Sequence, residues 1–290
     1  MIKNVICPAK INLFLEITGR REDGYHTLDT LMHTVSLADT LCVDITRGEG
    51  NIKLAANGGM PIPTDEKNIA YRAAQKYISA FDIKGYDISV VIDKRIPVSA
   101  GLGGGSTDGA GVFRALEEIF RIGDKKTLDD IALSVGADVP FCMYGGCMRA
   151  RGIGEILTPA CEMPEKMCMV IAKGSRGVNT AKAYSDADKK SSYVPKTADQ
   201  MIKSLEKGDR SFAEHLFNRF EETVFADIPE IAEIKEFLVR GGAFASLMSG
   251  SGSAVYAFFD DKKNASAACE GLISRGIFAC VTEPLGKADF

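Results

Sequence analysis

Between Pro97 and Gly111 the chain reads PVSAGLGGGSTDGAG, with five glycines from 101 to 109. Glycine loses more backbone freedom on folding than any other residue, so a cluster this dense needs a reason beyond turning the chain. The stretch follows a strand-like run, YDISVVID. It precedes Val112, Phe113, Leu116, Ile119 and Phe120, spaced by three and four, which predicts an amphipathic helix starting near Ser106. A glycine-rich turn feeding a helix N-terminus presents unpaired N–H groups and the positive end of the helix dipole, and phosphates fit such a nest. The competing reading is a plain strand-to-helix connection with several positive φ angles, which rarely needs Gly-x-Gly-Gly-Gly.

The familiar phosphate and nucleophile templates do not fit. A Walker loop ends in Gly-Lys-Ser/Thr, and no Lys occurs here. The dinucleotide fingerprint and the protein-kinase loop both need Gly where Ser106 stands, and a nucleophile elbow on Ser106 needs Gly where Asp108 stands.

The 290 residues, 46% hydrophobic and 26% charged, suit a globular chain of about two domains. A net charge of -4 without a Lys/Arg-rich run disfavours a nucleic-acid partner. Lys3, Lys10 and Asn12 interrupt the apolar N-terminus, which therefore reads as neither a signal peptide nor a membrane span. The eight cysteines form no C-x-x-C pair and read as free buried thiols of a cytoplasmic protein. The three histidines have no metal-ligand spacing.

Strand signals fall on NLFLEI, TLCVDIT and YDISVVID, with a helix, NIAYRAAQKYISAF, between the second and third. TLDDIALSV reads as a helix opened by Thr127 and Asp130 in a capping-box-like arrangement and closed at Gly136. RGIGEILTPACEMPEK marks a domain junction, dividing the chain into 1–157 and 158–290. Beyond it come a strand (CMVIA), a polar loop over 174–199, and three helices ending at Gly241-Gly242. Strands FASLM and AVYAFF are joined by Ser249–Gly252, and a helix (SAACEGLIS) and a last strand follow. The stretch SDADKKSSYVPKTADQ is polar enough to be mobile. Both halves read as α+β with sheets covered on one face.

The run from Pro97 to Ser106, P-x-x-x-G-L-G-G-G-S, resembles the phosphate-binding motif of the GHMP small-molecule kinase superfamily. PAKINLFL (Pro8–Leu15), REDGYH (Arg21–His26), GADVPF (Gly136–Phe141), NRFE (Asn218–Glu221) and MSGSGSA (Met248–Ala254) are similar to the branch that phosphorylates a cytidine-diphosphate-linked polyol. The resemblance runs through the whole chain in order. It implies an N-terminal nucleotide-binding α+β domain, a C-terminal ferredoxin-like α+β domain and an active site in the cleft between them. It also implies transfer of the ATP γ-phosphoryl group, with Mg²⁺, to the 2-hydroxyl of a methylerythritol unit in the non-mevalonate route to isoprenoid precursors. The chain would be a monomer or homodimer, without a membrane partner.

Site residues carry over position by position. Asp138 is the implied general base and Lys10 its cationic partner beside the acceptor hydroxyl. From the residues alone, Asp138 reads as a turn carboxylate beyond a helix end, and Lys10 as a solvated edge residue of a strand or an inward charge with a partner, with spacing favouring the edge. Pro97, Ser99, Ala100, Gly101, Leu102, Gly103, Gly104, Gly105, Ser106 and Thr107 would hold ATP, with the Ser106 hydroxyl reaching Mg²⁺. Asn68 and Lys94 fall where the family contacts adenine, though both look like surface residues. Asn12, Tyr25, His26, Thr180 and Tyr184 would bind the acceptor, with His26 at the cytosine edge and the two tyrosines on its faces. Asp108 reads as a helix cap, and no further metal ligand can be placed.

Two departures stand out from the family pattern. Thr107-Asp108-Gly109-Ala110 puts a glycine in an early helical turn, where it is locally unfavourable. NRFE replaces N-D-L-E, a change of packing more than chemistry. Two other readings remain open: another kinase of the superfamily, such as a homoserine kinase, and a nucleotide or sugar sensor of the same fold that transfers nothing. A ribosome-associated module fits the acidic charge poorly.

Overall fold

The computed structural model describes residues 1–164, 167–189 and 195–287. The elements form two compact units that the chain visits alternately. One comprises 1–9, 37–98 and 103–144; the other comprises 10–36, 99–102 and 145–287. This interleaving differs from the single boundary at 157/158 expected from the sequence.

The first unit holds the start of β1 (Ile2–Arg20), the end of β2 (His26–Arg47), β3 (Ile52–Asn57), α1 (Ile69–Ala80), β4 (Tyr86–Asp93), α2 (Gly104–Phe120), α3 (Lys125–Val135) and α4 (Val139–Tyr144). β4 pairs antiparallel with residues 40–47 of β2 and parallel with β3, an unpredicted strand. Asn68 caps α1 by accepting from Ala70 N. Asp124, not Thr127, caps α3: it accepts the Thr127 N–H at 3.1 Å and the Thr127 hydroxyl at 2.7 Å. The capping pair of the sequence reading is thus shifted three residues upstream.

α1 and α2 pack closely, and that contact explains Gly109. A Cβ there would lie 2.7 Å from Ile69 Cγ2, and one on Gly111 would lie 2.3 Å from Cys7 Sγ. The two glycines give up helix propensity and gain close packing.

The second unit holds the rest of β1 and β2, then β5 (Cys147–Gly152), β6 (Ile156–Pro159), β7 (Cys168–Lys173), α5 (Thr180–Asp188), α6 (Asp199–Leu205), a 3₁₀ turn (Arg210–His215), β8 (Phe217–Asn218), α7 (Glu221–Asp227), α8 (Pro229–Arg240), β9 (Ala245–Met248), β10 (Val255–Phe259), α9 (Lys262–Ile273) and β11 (Phe278–Thr282). β7, β9, β10 and β11 form an all-antiparallel sheet in the order β11-β7-β10-β9. With α8 after β7 and α9 after β10, this is the ferredoxin-like arrangement. Its core includes Val170, Ala172, Ile231, Ile234, Leu238, Val255, Ala257 and Leu272. Residues 28–33 of β2 pair with β5, and Phe14 and Leu15 of β1 pair parallel with β8.

α5 occupies part of the expected loop over 174–199. Of the stretch read as mobile, 185–188 belong to α5, 199 and 200 to α6, and 190–194 lie outside the described residues. None of the eight cysteines is in a disulfide; Cys161 is exposed, and Cys42, Cys168 and Cys280 are only half-buried. No described helix is long and apolar enough to cross a membrane.

Candidate active site

In the first unit α2 begins at Gly104, two residues before the expected start. Its cap, Gly103, has φ of 69° and supplies no side-chain bond. The first intrahelical bond runs from Thr107 N to Gly103 O at 2.8 Å, so the first-turn amides of Gly104, Gly105 and Ser106 lack helical acceptors. A Cβ on Gly104 would lie 3.0 Å from both Ile96 Cγ2 and Lys94 Nζ. The main chain is therefore backed by an ammonium group.

Lys94 is not a surface residue: it is 3% exposed. Its Nζ donates to Asp39 Oδ2 at 2.5 Å and to Asp108 Oδ2 at 2.8 Å. Asp39 Oδ1 in turn accepts from Arg95 N and Ile96 N. Asp108 is buried in this triad instead of capping α2, and its Oδ1 has no hydrogen-bond partner among the described residues. Burial pushes the Asp108 carboxyl up to about 7 against the pull of Lys94. Burial alone would lower the Lys94 ammonium, but the two carboxylates outweigh it and its value is raised. Asn68 is also buried: it donates to Pro63 O and accepts from Ala70 N. Both side chains expected at adenine are thus committed to internal bonds.

Asp138 lies between α3 and α4, the irregular position expected of it. Its carbonyl accepts from Cys142 N at 3.1 Å and opens α4. A Cβ on the preceding Gly136 would lie 3.9 Å from Ser106 Oγ, so the turn carrying Asp138 borders the start of α2. The Thr107 hydroxyl is buried without a hydrogen-bond partner among the described residues.

In the second unit residues 99–102 are held by their carbonyls. Ala100 O accepts from Ala254 N, Gly101 O from the Ser249 hydroxyl, and Leu102 O from Lys10 N. Ser99 and Gly101 have φ of 52° and 75°. The turn from Ser249 to Gly252 is itself clamped by Asn218, whose amide donates to Met248 O at 2.6 Å and to Gly250 O at 2.8 Å. Glu221 accepts from Met248 N and pairs with Lys235. Asn218 and Glu221 of NRFE thus support this turn, a role the sequence alone did not assign them. An amide three residues ahead of α7 and a carboxylate at its first residue were the available signal.

Lys10 is 5% exposed, contrary to the edge-strand reading. Its Nζ donates to Asn12 Oδ1 at 2.8 Å, and the Asn12 amide donates to the Thr30 hydroxyl. Residues two apart share a strand face, which makes the Lys10–Asn12 pair possible. Tyr256 OH donates to Asn12 O and fixes that backbone.

Tyr25 projects from the turn joining β1 and β2 and is 62% exposed. His26 stacks on Tyr184 with centroids 4.6 Å apart, and Tyr184 meets Phe220 edge-on. Thr180, one turn before Tyr184 on α5, pairs its hydroxyl with Ser251 at 3.0 Å.

Residues 68–146 match the GHMP kinases N terminal domain, and 198–277 match the GHMP kinases C terminal domain. The chain is 39% identical over 266 residues to a 4-diphosphocytidyl-2-C-methyl-D-erythritol kinase of Clostridium acetobutylicum, covering 90% of this chain and 92% of the relative. The chain belongs to this family of GHMP kinases. A like-named enzyme of Alkaliphilus metalliredigens is 38% identical over 91% of this chain and 90% of its own. A solved 4-(cytidine 5'-diphospho)-2C-methyl-D-erythritol kinase superposes with a TM-score of 0.82 at 32% identity, covering 98% of this chain and all of the other. A homoserine kinase from Cytophaga hutchinsonii, with a TM-score of 0.73, is 18% identical and shares the fold. The chain is accordingly an ATP-dependent small-molecule kinase.

Proposed function

We propose that this kinase transfers the γ-phosphoryl group of ATP, taken up with Mg²⁺, to the 2-hydroxyl of 4-diphosphocytidyl-2-C-methyl-D-erythritol. The observation that carries the reading is the uncapped start of α2, reached through a glycine turn whose carbonyls are tied into the protein. Such a segment can offer its amides to phosphate oxygens without reorganising. The names of the curated relatives support the acceptor.

Phosphoryl transfer passes through a loose transition state, so the protein chiefly positions reactants and stabilises charge. The amides of Gly101 and Gly103–Ser106 would take the phosphates, with Pro97, Ser99, Ala100, Leu102 and Thr107 shaping the loop. The Ser106 hydroxyl would face the Mg²⁺ carried by the nucleotide. Among the described residues no group of three or more His, Cys, Asp or Glu is placed to hold a metal by itself. Asn68 and Lys94 would border the nucleotide without lending it their side-chain nitrogens. Asp138 would accept the hydroxyl proton as the P–O bond forms, and Lys10 would offset charge on the transferring group. Asn12, Tyr25, His26, Thr180 and Tyr184 would bind the acceptor.

The test offers Mg²⁺-ATP with a panel of alcohols: the cytidylylated polyol, homoserine and galactose. Product identity is read by mass and phosphorus NMR. The reading requires a monophosphorylated cytidylyl product. Efficient phosphorylation of homoserine or galactose in its place, or no ADP from any acceptor, overturns it.

A further inference from the structure

We propose that Asp188 is a positioning residue that sets which nucleobase the acceptor site reads. The inference rests on the reading above, in which His26 meets the base of a cytidine diphosphate. His26 Nε2 lies 2.8 Å from Asp188 Oδ1. A carboxylate only accepts, so the hydrogen of the neutral imidazole sits on Nε2. Nδ1 is then left with its lone pair. It makes no hydrogen bond among the described residues.

The ring cannot readily turn to change this assignment. One face stacks on Tyr184, which itself abuts the buried Phe220. The other oxygen of Asp188 lies 3.8 Å from Arg20 NH1, and Arg20 Nε donates to Gly24 O. One carboxylate on α5 therefore holds both ends of the turn from Arg20 to His26.

The chemistry selects one pyrimidine. The exocyclic amine of cytosine donates and meets the Nδ1 lone pair. Uracil carries a carbonyl oxygen at that position, which would set lone pair against lone pair. A buried polar group left unpaired or opposed is a strong basis for rejection.

The experiment compares kcat and KM for the cytidine substrate and its uridine analogue in wild type, Asp188→Ala and Asp188→Asn, with melting temperatures checked for each. Asp188→Ala is expected to raise KM for the cytidine substrate by about tenfold, leaving KM for ATP unchanged. Its preference for cytidine over uridine should fall by about tenfold to a hundredfold. Asp188→Asn keeps an acceptor for Nε2–H and should restore most of that preference. An unchanged preference in Asp188→Ala, while the wild type discriminates, overturns the role of Asp188. A loss of kcat with KM intact does the same. A wild type that takes both nucleotides equally overturns the cytidine reading itself, and this inference with it.

Discussion

The Ser249 hydroxyl donates to the Gly101 carbonyl across 2.9 Å, and a methyl group on Gly101 would lie 2.1 Å from the Ser249 carbonyl oxygen. The turn after β9 is thus pressed against the glycine loop, main chain to main chain. A hairpin loop of this composition would otherwise pass as a simple reversal.

Gly101→Ala tests that contact. Gly101 has φ of 75°, and the added Cβ meets backbone that cannot swing aside. Displacement of the loop by even 1 Å should cost about 10²-fold in kcat/KM for ATP. Steady-state kinetics beside a thermal melt separate this from unfolding, and wild-type kinetics would show that the loop does not bind phosphates.

Asp138→Asn removes the proposed base and keeps the shape of the turn. Turnover should fall by about 10²–10⁴-fold, with KM for both substrates within a few-fold of wild type. Near-normal turnover would free Asp138 from that role.

Asp108 gives a pH dependence with a definite sign. Its folded value, about 7, lies above the ordinary carboxylate value, so the folded state binds the extra proton between those limits. Its contribution to stability is largest below pH about 4 and declines as pH rises towards 7. Denaturant melts of wild type and Asp108→Asn, compared from pH about 4.5 to 8, should show wild type losing ground to the variant and then levelling off. A constant gap would contradict this.

Asn218→Leu keeps the branching of the side chain but strands the carbonyls of Met248 and Gly250. Each lost partner costs about 1–3 kcal/mol. The melting temperature should drop, and KM for ATP should rise more than KM for the acceptor, because the clamped turn supports residues 99–102.

Gly109→Ala should destabilise, although alanine normally strengthens a helix interior by about 1 kcal/mol. The clash with Ile69 Cγ2 should cost about 1–3 kcal/mol, and adding Ile69→Leu, which removes that methyl, should recover much of it. Chemical denaturation of the two variants decides the matter.

These cases also mark what the sequence made legible. α1, α8, α9 and the paired strands of the second unit were readable because their apolar periods and glycine stops are local. The start of the glycine helix was readable to within two residues for the same reason. Lys94 was misread because its partners lie 55 and 14 residues away, and no local pattern announces a buried ion triad. Lys10 was misread as an edge residue although Asn12, its partner, lies only two residues on. Asp124 was overlooked in favour of Thr127, though its spacing to that residue was visible. Gly109 looked like a helix weakness because the neighbour that requires it, Ile69, belongs to another element.

The chain passes from one compact unit to the other after residues 9, 36, 98, 102 and 144. No single proteolytic nick or gene truncation therefore separates the two as intact fragments. An excised piece such as 68–146 would lack β3 and the stretch of β2 that flanks β4. Efforts to transplant the first unit into another kinase must splice three stretches of polypeptide, and a nascent chain leaving the ribosome cannot complete either unit before residue 144 has emerged.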